Sequence, residues 1–384
     1  MRLFSLVFGC LMIGITAMAD VQLSGLIDVV AKNSAEDDIT NVTFKGFSTF
    51  HSLRTRTFID AAVNEDVTVF TQFITDNNTF AVYAAYARFS RLAGGYLNAN
   101  AGFIPTTVGS FVSRSYSDKN PLIGRPLMYN HHSAFVPGRN DSIRSVDDLL
   151  DTRQNRSRYG LPVIYDACWN TGVEFYGSVG QFDYSLGFLS GSVGYPTIEQ
   201  RKNIPQVTTH LVWYAGPAFS VGGSVFVGPY LFEGGFADQL PGVEYDASGE
   251  APAEAYDDYL NVGFAGELHW SAGYVDIYSE VVHAFWEHPY LPDLGITAGY
   301  IEGSYKLAAG WYVAARYDRW EPGKLTDSNG SRQSWDYPVQ RLEAALGYHP
   351  YRRVTTKLAV QINNFIGSQE LDNELVALQL SVGF

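Results

Sequence analysis

The sequence predicts an all-β chain: a transmembrane antiparallel β-barrel of about sixteen strands. Three observations carry that prediction. First, helical periodicity is nearly absent beyond the N-terminus, and segments of about eleven residues alternate apolar with polar or small side chains, the period of a strand with two unlike faces. Second, these segments are longer than the five or six residues typical of soluble strands and match a tilted strand that crosses hydrocarbon. Third, mean hydropathy is near zero although 25 Tyr and 24 Phe load the chain with rings, as expected when apolar side chains face outward and polar ones inward. Composition excludes other classes. Two cysteines in 384 residues rule out a disulfide scaffold, the aromatics argue against disorder, and no later apolar run is long enough for a spanning helix. A net charge of −14 makes nucleic acid a poor partner.

Residues 1–19 read as an export signal. Met1-Arg2 is followed by an apolar run and by Ala17-Met18-Ala19, a small-x-small cleavage pattern with the cut after Ala19. Loss of Cys10 with the signal leaves Cys168 alone. Residues 20–384 then form one barrel domain. The expected strands are 21–31, 53–63, 66–76, 79–90, 95–105, 167–177, 181–191, 205–215, 219–229, 257–269, 273–285, 294–306, 310–320, 337–348, 353–364 and 373–384. Turns after even-numbered strands are tight, as at Asn64-Glu65 and Gly216-Pro217-Ala218. Those after odd-numbered strands are mostly longer. Closure follows from the solvent: hydrocarbon offers nothing to an unpaired backbone group, so each strand must find a neighbour on both sides. Trp169, Trp213, Trp270, Trp311 and Trp320 fall near strand ends, where amphipathic rings sit at lipid interfaces.

The last strand is the most specific element. Val376, Leu378, Leu380, Val382 and Phe384 occupy alternate positions and end on an aromatic C-terminal residue. This resembles the terminal signal by which barrel assembly machinery recognises outer-membrane proteins. With the strand rhythm and the long third loop, the whole chain after the signal resembles the sixteen-stranded porin superfamily of Gram-negative outer membranes. Asn120 to Tyr129 and Tyr165 to Gly172 also resemble segments of poorly characterised bacterial porins. The resemblance implies an outer-membrane location, contact with lipid and lipopolysaccharide, assembly through the strand ending at Phe384, and a homotrimer. It also implies that the third loop, 106–166, folds into the lumen as a constriction.

That loop holds eight basic residues against six acidic ones in an otherwise acidic chain. Its candidate site residues are Arg114, Arg125, Arg139, Arg144, Asp147, Asp148, Asp151, Arg153, Arg156 and Arg158. Asp147, Asp148 and Asp151 form an acidic knot, and Ser145 with Asp148 is spaced to cap a short helix. Strand parity turns Arg54, Arg56, Asp60, Arg88, Arg316, Asp318, Arg341, Glu343, Arg353 and Lys357 inward. A basic wall facing the acidic knot would set a transverse field across a water-filled eyelet, which sorts solutes by charge.

The sequence carries no phosphate loop, nucleophile elbow or zinc spacing. Glu267 and His269 share a lumen face, and His131-His132 adjoin in the third loop as a pore-lining or solvent element; neither makes a catalytic or metal set. No enzyme activity, metal or cofactor is therefore expected. The leading function is passive diffusion of small hydrophilic solutes or ions. The alternatives are an anion- or phosphate-preferring channel and a structural or adhesin barrel plugged by its own loop. The loop 231–258 is rich in Asp and Glu and has no Lys or Arg, as a solvated outer loop would.

Overall fold

A computed structural model describes residues 20–34, 40–43, 46–77, 79–136, 143–153, 160–165, 170–195, 204–231, 240–243 and 254–384. The expected signal 1–19, Arg139, Arg156, Arg158, Trp169 and most of 231–258 lie outside the described residues. The strands are β1 (Asp20–Ser34), β2 (Leu53–Ala62), β3 (Val67–Asp76), β4 (Thr79–Leu92), β5 (Leu97–Ile104), β6 (Asn170–Val179), β7 (Phe182–Leu189), β8 (Gln206–Gly216), β9 (Phe219–Pro229), β10 (Leu260–Ala272), β11 (Val275–Trp286), β12 (Leu294–Ala308), β13 (Trp311–Pro322), β14 (Lys324–Thr326), β15 (Arg332–Ser334), β16 (Val339–Tyr351), β17 (Val354–Phe365) and β18 (Asn373–Gly383). Short helices α1 (Leu127–Asn130) and α2 (Val146–Thr152) lie in the third loop, and α3 (Glu254–Asp257) precedes β10.

All strands except β14 and β15 join one closed antiparallel barrel, sixteen strands in circuit. β1 closes it by pairing with β18, where Leu26 lies opposite Gly383 and Val29 opposite Leu380. β13 pairs directly with β16, and the small β14–β15 ribbon rises from the connection between them. The expected strands are all present with ends moved by a few residues, and β16 to β18 are the last three. The ribbon is too short to leave a periodic signal.

The faces are inverted relative to a water-soluble sheet. On β18, Leu378 is 54% exposed and its neighbour Ala377 only 1%. Leu23, Val29, Leu211, Leu342 and Leu358 are likewise exposed on the outside. A contiguous apolar belt of this kind is stable only against lipid. At the short-turn end, where Gly25 pairs with Phe384, Trp213, Trp270, Trp311, Tyr274 and Tyr351 form an exposed aromatic rim, with Trp311 stacked on Tyr348 at 4.3 Å. Trp320 departs from the expected interface position: it is fully buried, because on β13 it shares parity with inward Arg316 and Asp318.

A large apolar cluster occupies the long-loop half of the barrel, where Phe111, Leu127, Tyr129, Phe135 and Ile164 of the third loop pack against Phe226, Val282, Trp286, Ile296, Trp320 and Val339 of the wall. A smaller cluster unites Phe47 of the first loop with Ile74, Tyr83 and Ala84. The last two meet it through a register shift between Gln72 and Phe73 in the β3–β4 pairing, a bulge that turns consecutive residues inward.

Candidate functional site

The third loop crosses the barrel and touches most of its inner wall. Starting from β5, Thr107 hydrogen-bonds Thr208 on β8, and Gly109 N–H donates to Ser224 Oγ on β9 at 3.2 Å. On β11, Glu280 accepts Ser110 Oγ at 2.8 Å and the Tyr129 hydroxyl, together with Tyr300 of β12 at 2.6 Å. Arg114 bridges Glu302 at 2.5 Å and Tyr300 at 2.7 Å on β12. The chain then reaches β18, where Ser117 Oγ lies 2.7 Å from Ser381 Oγ.

Residues 117–127 are held through their backbone and through Leu122 and Ile123, which pack with Val30, Phe50, Tyr312 and Ala359 in a second apolar cluster. Lys357 Nζ donates to the carbonyls of Ser117 (2.6 Å), Asn120 (2.8 Å) and Leu122 (3.1 Å). Glu343 Oε1 accepts the N–H groups of Ile123 (3.1 Å) and Gly124 (2.7 Å). Arg341 donates to the Arg125 carbonyl at 3.0 Å and to the Thr40 carbonyl of the first loop at 3.1 Å. Asp318 accepts Leu127 N–H at 3.0 Å. Arg316 ties the fastening groups to one another, contacting Glu302 (3.1 Å), Asp318 (3.1 Å) and Glu343 (2.9 Å). These buried charges are tolerable because Arg316, Glu302, Asp318 and Glu343 are ion-paired, while Lys357 and Arg341 are each hydrogen-bonded to several oxygens.

The expected eyelet therefore takes a different form. Arg316, Arg341, Glu343 and Lys357 point inward as parity requires, but they are at most 1% exposed beneath the loop. Arg54 is buried against Asp28 at 3.0 Å. Arg56, also buried, lies over the rings of Tyr83 and Tyr116, 5.2 and 4.6 Å from their centroids. Arg353 is not on the wall: it sits in the turn before β17 with a φ of 66° and lines the short-turn mouth of the barrel. Asp60 and Arg88 do line the open half, Arg88 donating to Asn100 at 3.3 Å.

The acidic knot does not face this basic wall across water. Asp147 accepts Ser328 N–H at 3.2 Å near the β14–β15 ribbon. Asp148 completes the expected capping box with Ser145 at the start of α2, and the N–H groups of Arg144 and Ser145 hold its carboxyl below the ordinary range. Asp151 is exposed on α2. Arg144 lies over the Tyr290 ring at 4.3 Å, and Arg153 donates to the Ser334 carbonyl at 2.7 Å. Arg125 is buried. His131 and His132 are buried too, rather than facing solvent, and His131 packs edge-on against Trp320 at 4.7 Å. Glu267 pairs with His210 at 3.0 Å, and His269 with Asp276 at 3.3 Å, not with each other.

Every barrel strand has at least one side chain buried at this level: Asp28, Arg54, Ile74, Tyr83, Ile104, Asn170, Leu189, Thr208, Phe226, Asn261, Val282, Ala298, Asp318, Arg341, Gln361 and Ala377, in strand order. The described part of the loop thus packs against the inner wall in the long-loop half of the barrel. Below it, cavities of about 400, 360 and 380 Å³ surround residues 113–121 in the half nearer the short turns. Among the described residues no cluster of three His, Cys, Asp or Glu side chains is placed to hold a metal ion.

The geometry defines a class of fold: a closed antiparallel barrel of sixteen strands with an apolar outer belt. Solved structures share it across nearly the whole chain. In-vitro folded OmpT in its trimer form, an outer-membrane protein of Vibrio cholerae, matches with a TM-score of 0.57 and 11% identity over 95% of this chain and 99% of that one. The outer-membrane channel DcaP of Acinetobacter baumannii matches at 0.57 and 13% over 96% and 98%. The anion-selective porin from Comamonas acidovorans matches at 0.56 and 10% over 96% and 100%. No protein-family model and no curated protein matches the sequence. The likeness is one of fold.

Sequence reasoning misses Asp28, Glu302, Gln361 and the inserted first loop, where Asn41 donates to Gln361 at 2.6 Å. Parity would place Glu302 inward. Nothing in the spacing signals the first-loop contact.

Proposed function

We propose that the protein is a porin-type channel for small hydrophilic solutes, closed at rest by its third loop. The observation that carries this reading is the chemistry of the fastening at 114–127. Charged side chains of β13, β16 and β17 bond the loop backbone there, and Glu302 of β12 pairs with the Arg114 side chain. Displacing that segment would expose Lys357, Arg341, Glu343, Arg316 and Asp318, which water hydrates readily, together with the smaller apolar patch that Leu122 and Ile123 cover. Other described residues of the loop, among them Phe111, Leu127, Tyr129, Phe135 and Ile164, are set in a larger apolar core that water would not enter without large cost. Transport then needs movement of the polar segment alone.

The basic groups Arg54, Arg56, Arg88, Arg341 and Lys357 would line the opened path and favour anions, in keeping with the anion selectivity of the Comamonas acidovorans porin of similar fold. A homotrimer fits the trimer form of the Vibrio cholerae protein. The apolar core favours a second reading, a permanently plugged structural barrel. Planar-bilayer recording of the folded protein separates the two. Brief, voltage- or solute-dependent openings support the channel, and silence with no liposome swelling supports the plug.

A further inference from the structure

The open half of the lumen contains a group of side chains that a simple water-filled vestibule does not need. Phe58 of β2, Phe70 of β3 and Tyr86 of β4 all face inward and are only half-buried. Tyr116 descends from the third loop to join them. Phe70 and Tyr86 are stacked, with centroids 5.1 Å apart and planes 20° from parallel, and Phe58 meets Tyr116 edge-on at 5.6 Å. Barrel interiors are normally polar. Four rings on one arc of the wall are costly to wet unless something covers them.

These rings border a cavity of about 360 Å³, whose other polar members include Asp60 and Gln72. That volume lies within the roughly 300–1,000 Å³ of small-ligand sites, which combine apolar walls with a few placed polar groups. Gln72 supplies the second, independent sign of a ligand. It is 4% exposed; its Oε1 accepts the Tyr116 hydroxyl at 3.1 Å, while its Nε2 has no hydrogen-bond partner. A buried amide donor without a partner is unfavourable. Gln72 lines the cavity, and an oxygen acceptor on a molecule bound there would satisfy the donor once the amide turns toward it.

We propose that this cavity binds a neutral monosaccharide ring entering from the periplasmic side. A pyranose offers an apolar C–H face to rings, hydroxyl donors to Asp60, and ring or hydroxyl oxygens to Gln72 Nε2. The electrostatics favour a neutral guest. Arg88 lies over the Phe70 ring, 4.5 Å from its centroid, and offsets the charge of Asp60, so neither an anion nor a cation gains strongly. The inference deepens the channel reading by naming its solute class, and it rests on that reading for its transport meaning only.

The test is ligand-observed NMR on the purified, folded full barrel, with D-glucose as probe and glucuronate and glucosamine as charged comparators. Glucose should bind the unaltered protein, and Phe70→Ala and Gln72→Ala should each weaken binding by about tenfold. Folding is checked for each by heat-modifiable gel migration. Should Phe70→Ala misfold, Asp60→Asn serves instead, with a similar loss expected. Absent glucose binding, equal binding in the variants, or tighter binding of either charged sugar would overturn the assignment. Conductance is measured separately. A barrel that binds glucose but never conducts refutes the channel and leaves the site standing, and a conducting barrel that ignores glucose does the reverse.

Discussion

Glu343 and Gly124 meet so closely that a Cβ at position 124 would overlap Glu343 Oε2 and force the carboxylate to shift, while Oε1 accepts the Gly124 N–H at 2.7 Å. The side chain of β16 thus grips the loop where the loop has no side chain of its own. Gly124→Ala should push the carboxylate away and loosen residues 117–127, and Glu343→Gln should weaken the same grip without added bulk. A charge-assisted hydrogen bond contributes roughly 2 kcal/mol, enough to change a closed-to-open ratio about thirtyfold. Both variants should open more often than the parent in single-channel recordings. Unchanged open probability would count against the grip.

Lys357 gathers three loop carbonyls on one ammonium. Lys357→Met keeps the stem's bulk and strands those acceptors in a buried site. The expected loss is roughly 2–3 kcal/mol, visible as a lower midpoint of heat-modifiable unfolding and a raised open probability. If the midpoint does not move, the loop is held elsewhere.

Arg54 and Arg56 carry the strongest concentration of positive charge on β2. Replacing both with alanine should lower the anion-to-cation permeability ratio, read as a shift in reversal potential in asymmetric salt. Arg54 is already paired with Asp28, so most of the change should come from Arg56. A reversal potential identical to the parent's would remove both from the selectivity path.

His288, just beyond β11, accepts the N–H groups of Tyr290 and Leu291 at Nδ1, 3.1 and 3.2 Å away. An imidazole that accepts there is unprotonated, and burial, with the Arg144 charge adding to it, pushes its pKa down to about 4 from an ordinary 6.5. Between those values the unfolded chain binds a proton that the folded chain does not. The site's contribution is therefore full above pH 6.5 and declines as pH falls toward 4. NMR titration of a ring-labelled His288 should give a midpoint near 4; a midpoint near 6.5 would contradict the buried acceptor role.

Much of this architecture is legible in period two alone. Leu378 beside Ala377 displays both faces of β18, and the same alternation places Arg316, Arg341 and Lys357 inward. Parity also predicts the inward turn of Trp320, which the general tendency of tryptophan toward interfaces obscures. Tyr83 escapes because a bulge breaks the parity rule where it applies. The bonding of the loop escapes for a deeper reason. Lys357, Glu343 and Arg341 bind backbone groups, which every residue carries, so the loop sequence holds no charge pattern to complement them. The acidic knot at Asp147, Asp148 and Asp151 invites an eyelet reading, yet its spacing suits a helix N-terminus equally, and Ser145 decides for the cap.

The central claim is that the third loop closes the lumen and that movement of its polar segment opens it. Ser117 Oγ and Ser381 Oγ, 2.7 Å apart, offer a direct lock. Ser117→Cys with Ser381→Cys, in a Cys168→Ser background, can be oxidised to tether the loop to β18. Single-channel recording should find the oxidised protein nearly silent, with openings returning on reduction. A steady, wide-pore conductance in the oxidised state, unchanged by reductant, would contradict the account.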